Sequence, residues 1–327
     1  MEDIMGNLFP ILLIGCLSML TAEVFAGVSH VWYVELWDVL ITLPLYTAHT
    51  LFFFRIAWTR KKTSISQLYL FGMIFALYES WITKVLWAGY PDSAGPVLGT
   101  FLGIGISELP ILVFFWHPIM SFIVPVLIFQ VMTGKILDGH SRILRKTAKK
   151  TSVIIMFLII VSTFIVNGNK SDLLLSNLSV IGSIILIVVF YYLSRKTDLE
   201  VLLFRKAGFV IIIIYMFLLY VASFFLIVPE RIPRSIIPYI SIIVLYAVPI
   251  ILIRKSEKEE TKLTAQDKNR YNIKDLAIFA AITIIAVNSA VILPDISSVV
   301  FVFSYYLLGL AGIVLFVSTV FGSIKPK

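Results

Sequence analysis

Two imidazoles and two carboxylates stand inside long apolar stretches of this 327-residue chain: His49, Glu79, Glu108 and His117. An ionisable side chain near a bilayer centre costs roughly 2.5–3.5 kcal/mol on insertion scales, so each one demands a partner, a water-filled cavity or a function. Together they make a ligand set that suits zinc or another divalent ion with one position left for water, and such an ion turns that water into a nucleophile at neutral pH. The expected chemistry is that of an intramembrane metal-dependent hydrolase or transferase acting on a lipid or membrane-embedded substrate from the outer side. Glu79 and Glu108 would be its catalytic carboxylates, and all four residues its metal ligands. The spacing matches no established metal motif.

Each residue also has a plainer explanation. Glu79, near the middle of Tyr78-Glu79-Ser80-Trp81-Ile82-Thr83-Lys84, serves equally as a protonated glutamate bonded to a neighbouring helix. Lys84 is five residues on, about 140° round a helix from Glu79 and outside i,i+4 pairing; snorkelling to the outer interface accounts for it. A membrane histidine such as His49, or His117 just before Pro118, can be a helix-to-helix hydrogen bond. Glu108 can do no more than satisfy the free N–H groups at a helix start. Farther out, Glu23, His30, Glu35 and Asp38 interleave with Trp32, Tyr33 and Trp37. With Lys84 they form either an outward-facing mouth or a solvated rim within the aromatic belt.

The elements that must position these groups are helices. Hydrophobic residues make up 59% of the chain and charged residues 14%, against roughly 25% charged in an average soluble domain. A backbone in lipid must satisfy its own hydrogen bonds, so the fold class is all-α, a polytopic transmembrane bundle. About ten spans are expected, over 8–28, 36–58, 67–88, 97–132, 151–167, 173–193, 207–228, 236–253, 275–293 and 297–321. The amino-terminal run reads as a permanent helix, since Met1 to Asn7 carries Glu2 and Asp3 but no Lys or Arg.

The fourth run is too long for one helix and too short for two with a turn. It is read as one crossing, broken or re-entrant at Gly103, Gly105 and Ser107, with Ser107 capping a new helix at Glu108. The alternative is one long tilted helix with an interfacial extension.

Of the 27 Lys and Arg residues, 23 fall on one side of this arrangement. The positive-inside rule makes that side cytoplasmic, puts both termini there and places the protein in the cell membrane. The cations sit in short loops and not on a separate domain, which speaks for topology and against a nucleic-acid partner. Lys135–Lys150 is expected to lie on anionic lipid headgroups, each basic residue contributing about 1 kcal/mol. By polarity the chain divides into a four-span unit, 1–133, carrying the ionisable residues, the basic loop 134–150, and an apolar six-span unit, 151–327, with a solvated linker at 254–275. Cys16 is the one cysteine, so no intramolecular disulfide can form.

Four functions stay open at this point. Beside the metal-dependent enzyme stand a proton- or cation-coupled transporter with Glu79 and Glu108 as titrating carriers, a haem protein with His49 and His117 as axial ligands, and a scaffold subunit without chemistry. Intramembrane protease signatures, a Walker loop and an Asp-rich prenyl-pyrophosphate motif are all missing from the sequence.

Overall fold

The computed structural model describes residues 2–194, 197–265 and 267–324; Arg195, Lys196, Lys325 and Lys327 of the basic-residue census lie outside them. The chain is a helical membrane bundle. Among the described residues, eight helices are long and apolar enough to cross a bilayer, the first Asp38–Thr59 and the last Pro294–Gly322. The two remaining expected spans are interrupted. Leu8–Val24 is a shorter apolar helix ending in a π-helical segment, Leu20–Val24. The stretch 67–88 divides into Ile65–Ala76, Tyr78–Trp81 and Val85–Ala88.

Helix ends follow local chemistry. Ser64 and Gln67 form a reciprocal capping box, as do Asn272 and Asp275, while Thr147 and Asp172 each accept a first-turn N–H. Such caps supply acceptors that the first turn lacks. Outward side chains such as Ile211, Phe217 and Leu226 are exposed, as expected where lipid is the solvent.

Packing divides the chain into two units. The first comprises Met1–Leu51, Val124–Leu203 and Glu260–Ser304. Its helices Ala148–Gly168 and Ile273–Ile292 pack together, and Leu173–Leu193 packs on Glu2–Met19. Ser176, Ser179 and Ser183 are fully buried along Leu173–Leu193, small residues that permit close approach; the Trp32 indole donates to Ser183 at 2.9 Å.

The basic loop and the linker of this unit are more ordered than their composition implies. Lys135–Leu137 pairs antiparallel with Leu263–Ala265. Ile136, Leu144, Val131 and Tyr271 form a small core beneath, whereas Ile143 stays exposed. Gln130 holds the loop from below: its Oε1 accepts the Leu137 N–H at 2.9 Å, and its amide meets the fully buried His140.

The second unit comprises Phe52–Ile123, Phe204–Glu259 and Tyr305–Lys327. The long fourth run resolves into a hairpin of two-residue strands in this unit, Thr100–Phe101 against Ile104–Gly105, followed by one membrane helix, Leu109–Thr133, of which the part to Ile123 belongs to this unit. One helix of this run is thus long and apolar enough to cross, and the extra piece, expected as a half-helix or re-entrant segment, is a hairpin. Near the loop at Lys61, the Lys62 ammonium donates to the Ser256 carbonyl. Burial, with Lys258 adding to it and Glu257 opposing, holds that ammonium below the ordinary lysine range.

Ile65–Ala76 packs closely on the π-helical segment Leu109–Ile123. Pro118 has no N–H to donate within its helix, and the Tyr69 hydroxyl ties the two segments together by donating to the Phe114 carbonyl at 2.7 Å. Gly72 makes the approach possible, since a Cβ there would lie 2.6 Å from Pro118 Cα. Gly72→Ala is therefore expected to destabilise the protein by about 1–2 kcal/mol despite alanine's better helix propensity. Thermal unfolding in detergent measures it; a variant as stable as the parent would show that these helices can spread freely.

Candidate functional site

The groups of greatest chemical interest meet where Tyr78–Trp81 faces Leu109–Ile123 in the second unit. Glu79 and His117 are both buried, with Glu79 Oε1 3.0 Å from His117 Nε2. Hydroxyl groups complete the cluster. The Thr83 hydroxyl lies 2.5 Å from Glu79 Oε2, the Tyr78 hydroxyl 3.5 Å from His117 Nε2, and Ser121 Oγ 2.8 Å from His117 Nδ1. The result is a carboxylate–imidazole–hydroxyl chain with a bonded partner at every polar atom.

Local folding explains the arrangement. His117 and Ser121 are four residues apart on one helix and share a face. Their segment is wound as a π-helix, a form that recurs at functional sites. Phe75 and Tyr78 pack on the imidazole, the Tyr78 ring edge-on, and Phe122 backs Phe75. In so apolar a setting an unpaired charge is costly, so the proton count of Glu79 and His117 must be settled between them.

Glu108, in the same unit, has a structural task. Its Oε1 accepts the Val97 N–H at 2.8 Å and its Oε2 the Ser107 hydroxyl at 3.1 Å, tying the Thr100–Gly105 hairpin to the start of the membrane helix. Ser107 thus donates to Glu108, where the sequence suggested a helix cap. Lys84 does not snorkel. It is fully buried, and its ammonium donates to the Ser223 carbonyl at 2.8 Å and to that of Ile227. It closes the end of helix Lys206–Leu226, where cations offset free carbonyls.

The first unit holds the other residues. His49 Nδ1 lies 2.7 Å from the Leu45 carbonyl, one turn back. Glu23 and Asp38 are buried, each on a π-helical segment, and the Ser29 hydroxyl lies between them at 3.0 and 3.2 Å. Tyr46 donates to Glu23 and Thr42 to Asp38. Glu35 is exposed, and His30 Nδ1 is buried without a hydrogen-bond partner. Among the described residues, no group of three or more His, Cys, Asp or Glu side chains gathers around a common ion position.

Glu79 and His117 stand out in the sequence, whereas their hydroxyl partners do not. Ser121 carried one usable signal, its i+4 relation to His117; Tyr78 and Thr83 carried only their nearness to Glu79.

Comparison with known proteins bears on the chain as a whole. A family profile described as an uncharacterized membrane protein family matches residues 12–324. An uncharacterized protein of Archaeoglobus fulgidus is 42% identical over 120 residues, 36% of this chain and 37% of that protein. The match spans little more than a third of either chain. No solved structure matches.

Proposed function

The chain belongs to this uncharacterized membrane protein family, and from that premise we propose that it is a proton-coupled membrane carrier whose Glu79–His117 pair takes up and releases the coupled proton. The carrying observation is the 3.0 Å contact between the two buried side chains, flanked by hydroxyls on both sides. A carboxylate and an imidazole can share one proton at little cost, whereas losing it leaves a net negative charge in a low-dielectric setting. The pair's proton occupancy is thus coupled to whatever conformation or solute supplies compensation. Ser121, Thr83 and Tyr78 are groups that both donate and accept, as a relay requires. The basic-residue census supports a cell-membrane location with the basic face toward the cytoplasm.

A second reading rests on the order hydroxyl–imidazole–carboxylate in Ser121–His117–Glu79, the order of a serine hydrolase's relay with the two ring nitrogens exchanged. Against it, Ser121 is completely enclosed, and a nucleophile needs room for a carbonyl carbon and its oxyanion donors.

Proteoliposomes enclosing a pH-sensitive dye separate these readings. A carrier acidifies or alkalises the lumen when driven by its solute or by an imposed gradient, and Glu79→Gln stops it. Labelling of Ser121 by a fluorophosphonate would favour the hydrolase. Stoichiometric zinc that disappears in His117→Ala would favour the metal-dependent enzyme. Wild-type vesicles that move no protons under any gradient or solute would refute the carrier.

A further inference from the structure

The basic loop and the linker of the first unit meet a second time beyond their paired strands. Tyr271 N donates to the Leu144 carbonyl at 3.1 Å and Lys146 N to the Asn269 carbonyl at 2.8 Å, leaving Arg145 and Arg270 directly opposite one another as an antiparallel pair. Because the two bonds flank this pair and do not join it, it is of the non-hydrogen-bonded kind. Facing side chains come closest there, with Cβ atoms about 4.5–5.5 Å apart. Like charges so placed repel.

Both arginines line one cavity of about 420 Å³, together with Ser141, Lys146, Asp267 and Asn269. The Ser141 hydroxyl is buried and has no hydrogen-bond partner. Lys146 is engaged elsewhere, its ammonium 2.5 Å from Asp275, and among the described residues Arg270 makes only long contacts, to Thr264 and Ala265 at 3.5 and 3.4 Å. Asp267 is the opposing charge; its Oδ1 accepts the Asn269 N–H at 3.4 Å. Two guanidinium forks, an unused hydroxyl and a net positive charge remain.

We propose that this cavity is a binding site for a phosphate group, and that the phosphate is that of an anionic lipid headgroup. Paired guanidinium forks match the several oxygens of a phosphate in a way that point-like ammonium groups do not. An anion between Arg145 and Arg270 removes their repulsion, and the Ser141 hydroxyl gains an acceptor. Depth identifies the source. Arg145 stands three residues before helix Ala148–Gly168 and Arg270 three residues before helix Ile273–Ile292, two spans packed on each other. The cavity therefore opens where the membrane helices begin, at headgroup level. This goes beyond diffuse attraction of a basic loop to a charged surface, because it assigns recognition to two particular side chains 125 positions apart in sequence.

Delipidated protein returned to nanodiscs containing phosphatidylglycerol and phosphatidylcholine tests the site by native mass spectrometry. The wild type should retain phosphatidylglycerol, and Arg145→Gln with Arg270→Gln should reduce that retention by about tenfold or more, the loss expected for charge-assisted hydrogen bonds. Lysines at both positions, which keep the charge but not the forks, should also fall well below wild type. In lipid-free detergent the double glutamine variant should unfold at the same temperature as the parent or higher, since a repulsion has gone; a lower temperature would mean that the pair needs no anion. Inorganic phosphate that stabilises the wild type while phosphatidylglycerol fails to compete would move the source from lipid to free phosphate and overturn the headgroup assignment. Equal lipid retention by wild type, lysine and glutamine variants would overturn the site itself.

Discussion

His117→Ala is expected to destabilise the protein by about 3–5 kcal/mol and to abolish its proton-dependent activity. Removing one member of a buried ion pair strands the other. Glu79 Oε1 would lose its partner at 3.0 Å in surroundings that include Phe75 and Tyr78, and the Thr83 and Tyr78 hydroxyls that remain on its carboxylate do not replace a cation. Replacing both residues together, Glu79→Leu with His117→Phe, should cost far less than the sum of the single changes, because no charge is left to bury. Chemical unfolding of the four proteins gives the coupling energy, while vesicle assays report activity. A double variant that is stable yet inactive would show that the pair is kept for function. One as unstable as the sum of the single variants would show that the two side chains support the fold independently, and the shared-proton account would fall with it.

The bundle was legible in the chain because lipid imposes the crudest of patterns, an apolar run as long as the bilayer is thick. Where that pattern misled, the cause is local. The first and third of the ten expected spans were read as continuous helices, but the π turns at Leu20–Val24 and the breaks near Leu77 and Lys84 leave no trace in hydropathy. Lys84 shows the limit well. A lysine near a span's end reads as a snorkelling residue, yet it adopts a left-handed backbone between two short helices and turns its ammonium onto carbonyls of a helix some 140 residues away.

Glu79 and His117 stood out for a reason that does not depend on contacts, namely the cost of placing them in hydrocarbon. Their meeting depended on contacts entirely. It required the approach of Ile65–Ala76 to Leu109–Ile123 that Gly72 and Pro118 permit, and neither residue announces its partner. The same holds for Arg145 and Arg270, which lie in polar segments too short to read as strands. The expected ligand set therefore came out divided. Glu79 joined His117, while Glu108 was taken up by its hairpin.

The other large effect is expected at a contact with no polar chemistry, between Gly27 and Gly168 of the first unit. Gly27 ends the helical turn that carries Glu23, at φ +70°, with Gly27 N donating to the Val24 carbonyl and Val28 N to that of Glu23. Those two bonds form a Schellman closure, which places a left-handed residue, usually glycine, at this point. The turn then rests on the last turn of Ala148–Gly168. A Cβ on Gly27 would lie 2.2 Å from the Phe164 carbonyl oxygen, and one on Gly168 would lie 1.9 Å from the Gly27 oxygen. Backbone cannot rotate aside as a side chain can, so Gly27→Ala and Gly168→Ala should each cost about 3 kcal/mol or more, Gly27→Ala adding the left-handed penalty of roughly 1–2 kcal/mol. The double variant should cost less than the sum, because the first methyl already separates the two segments. Thermal unfolding in detergent checks all three, and near-additive losses would mean that the two glycines act through different neighbours. Gly27 also lies between Glu23 and Ser29, whose hydroxyl links Glu23 to Asp38. Prying the turn away should therefore loosen that buried carboxylate pair, a consequence that faster amide exchange at Ser29 would reveal.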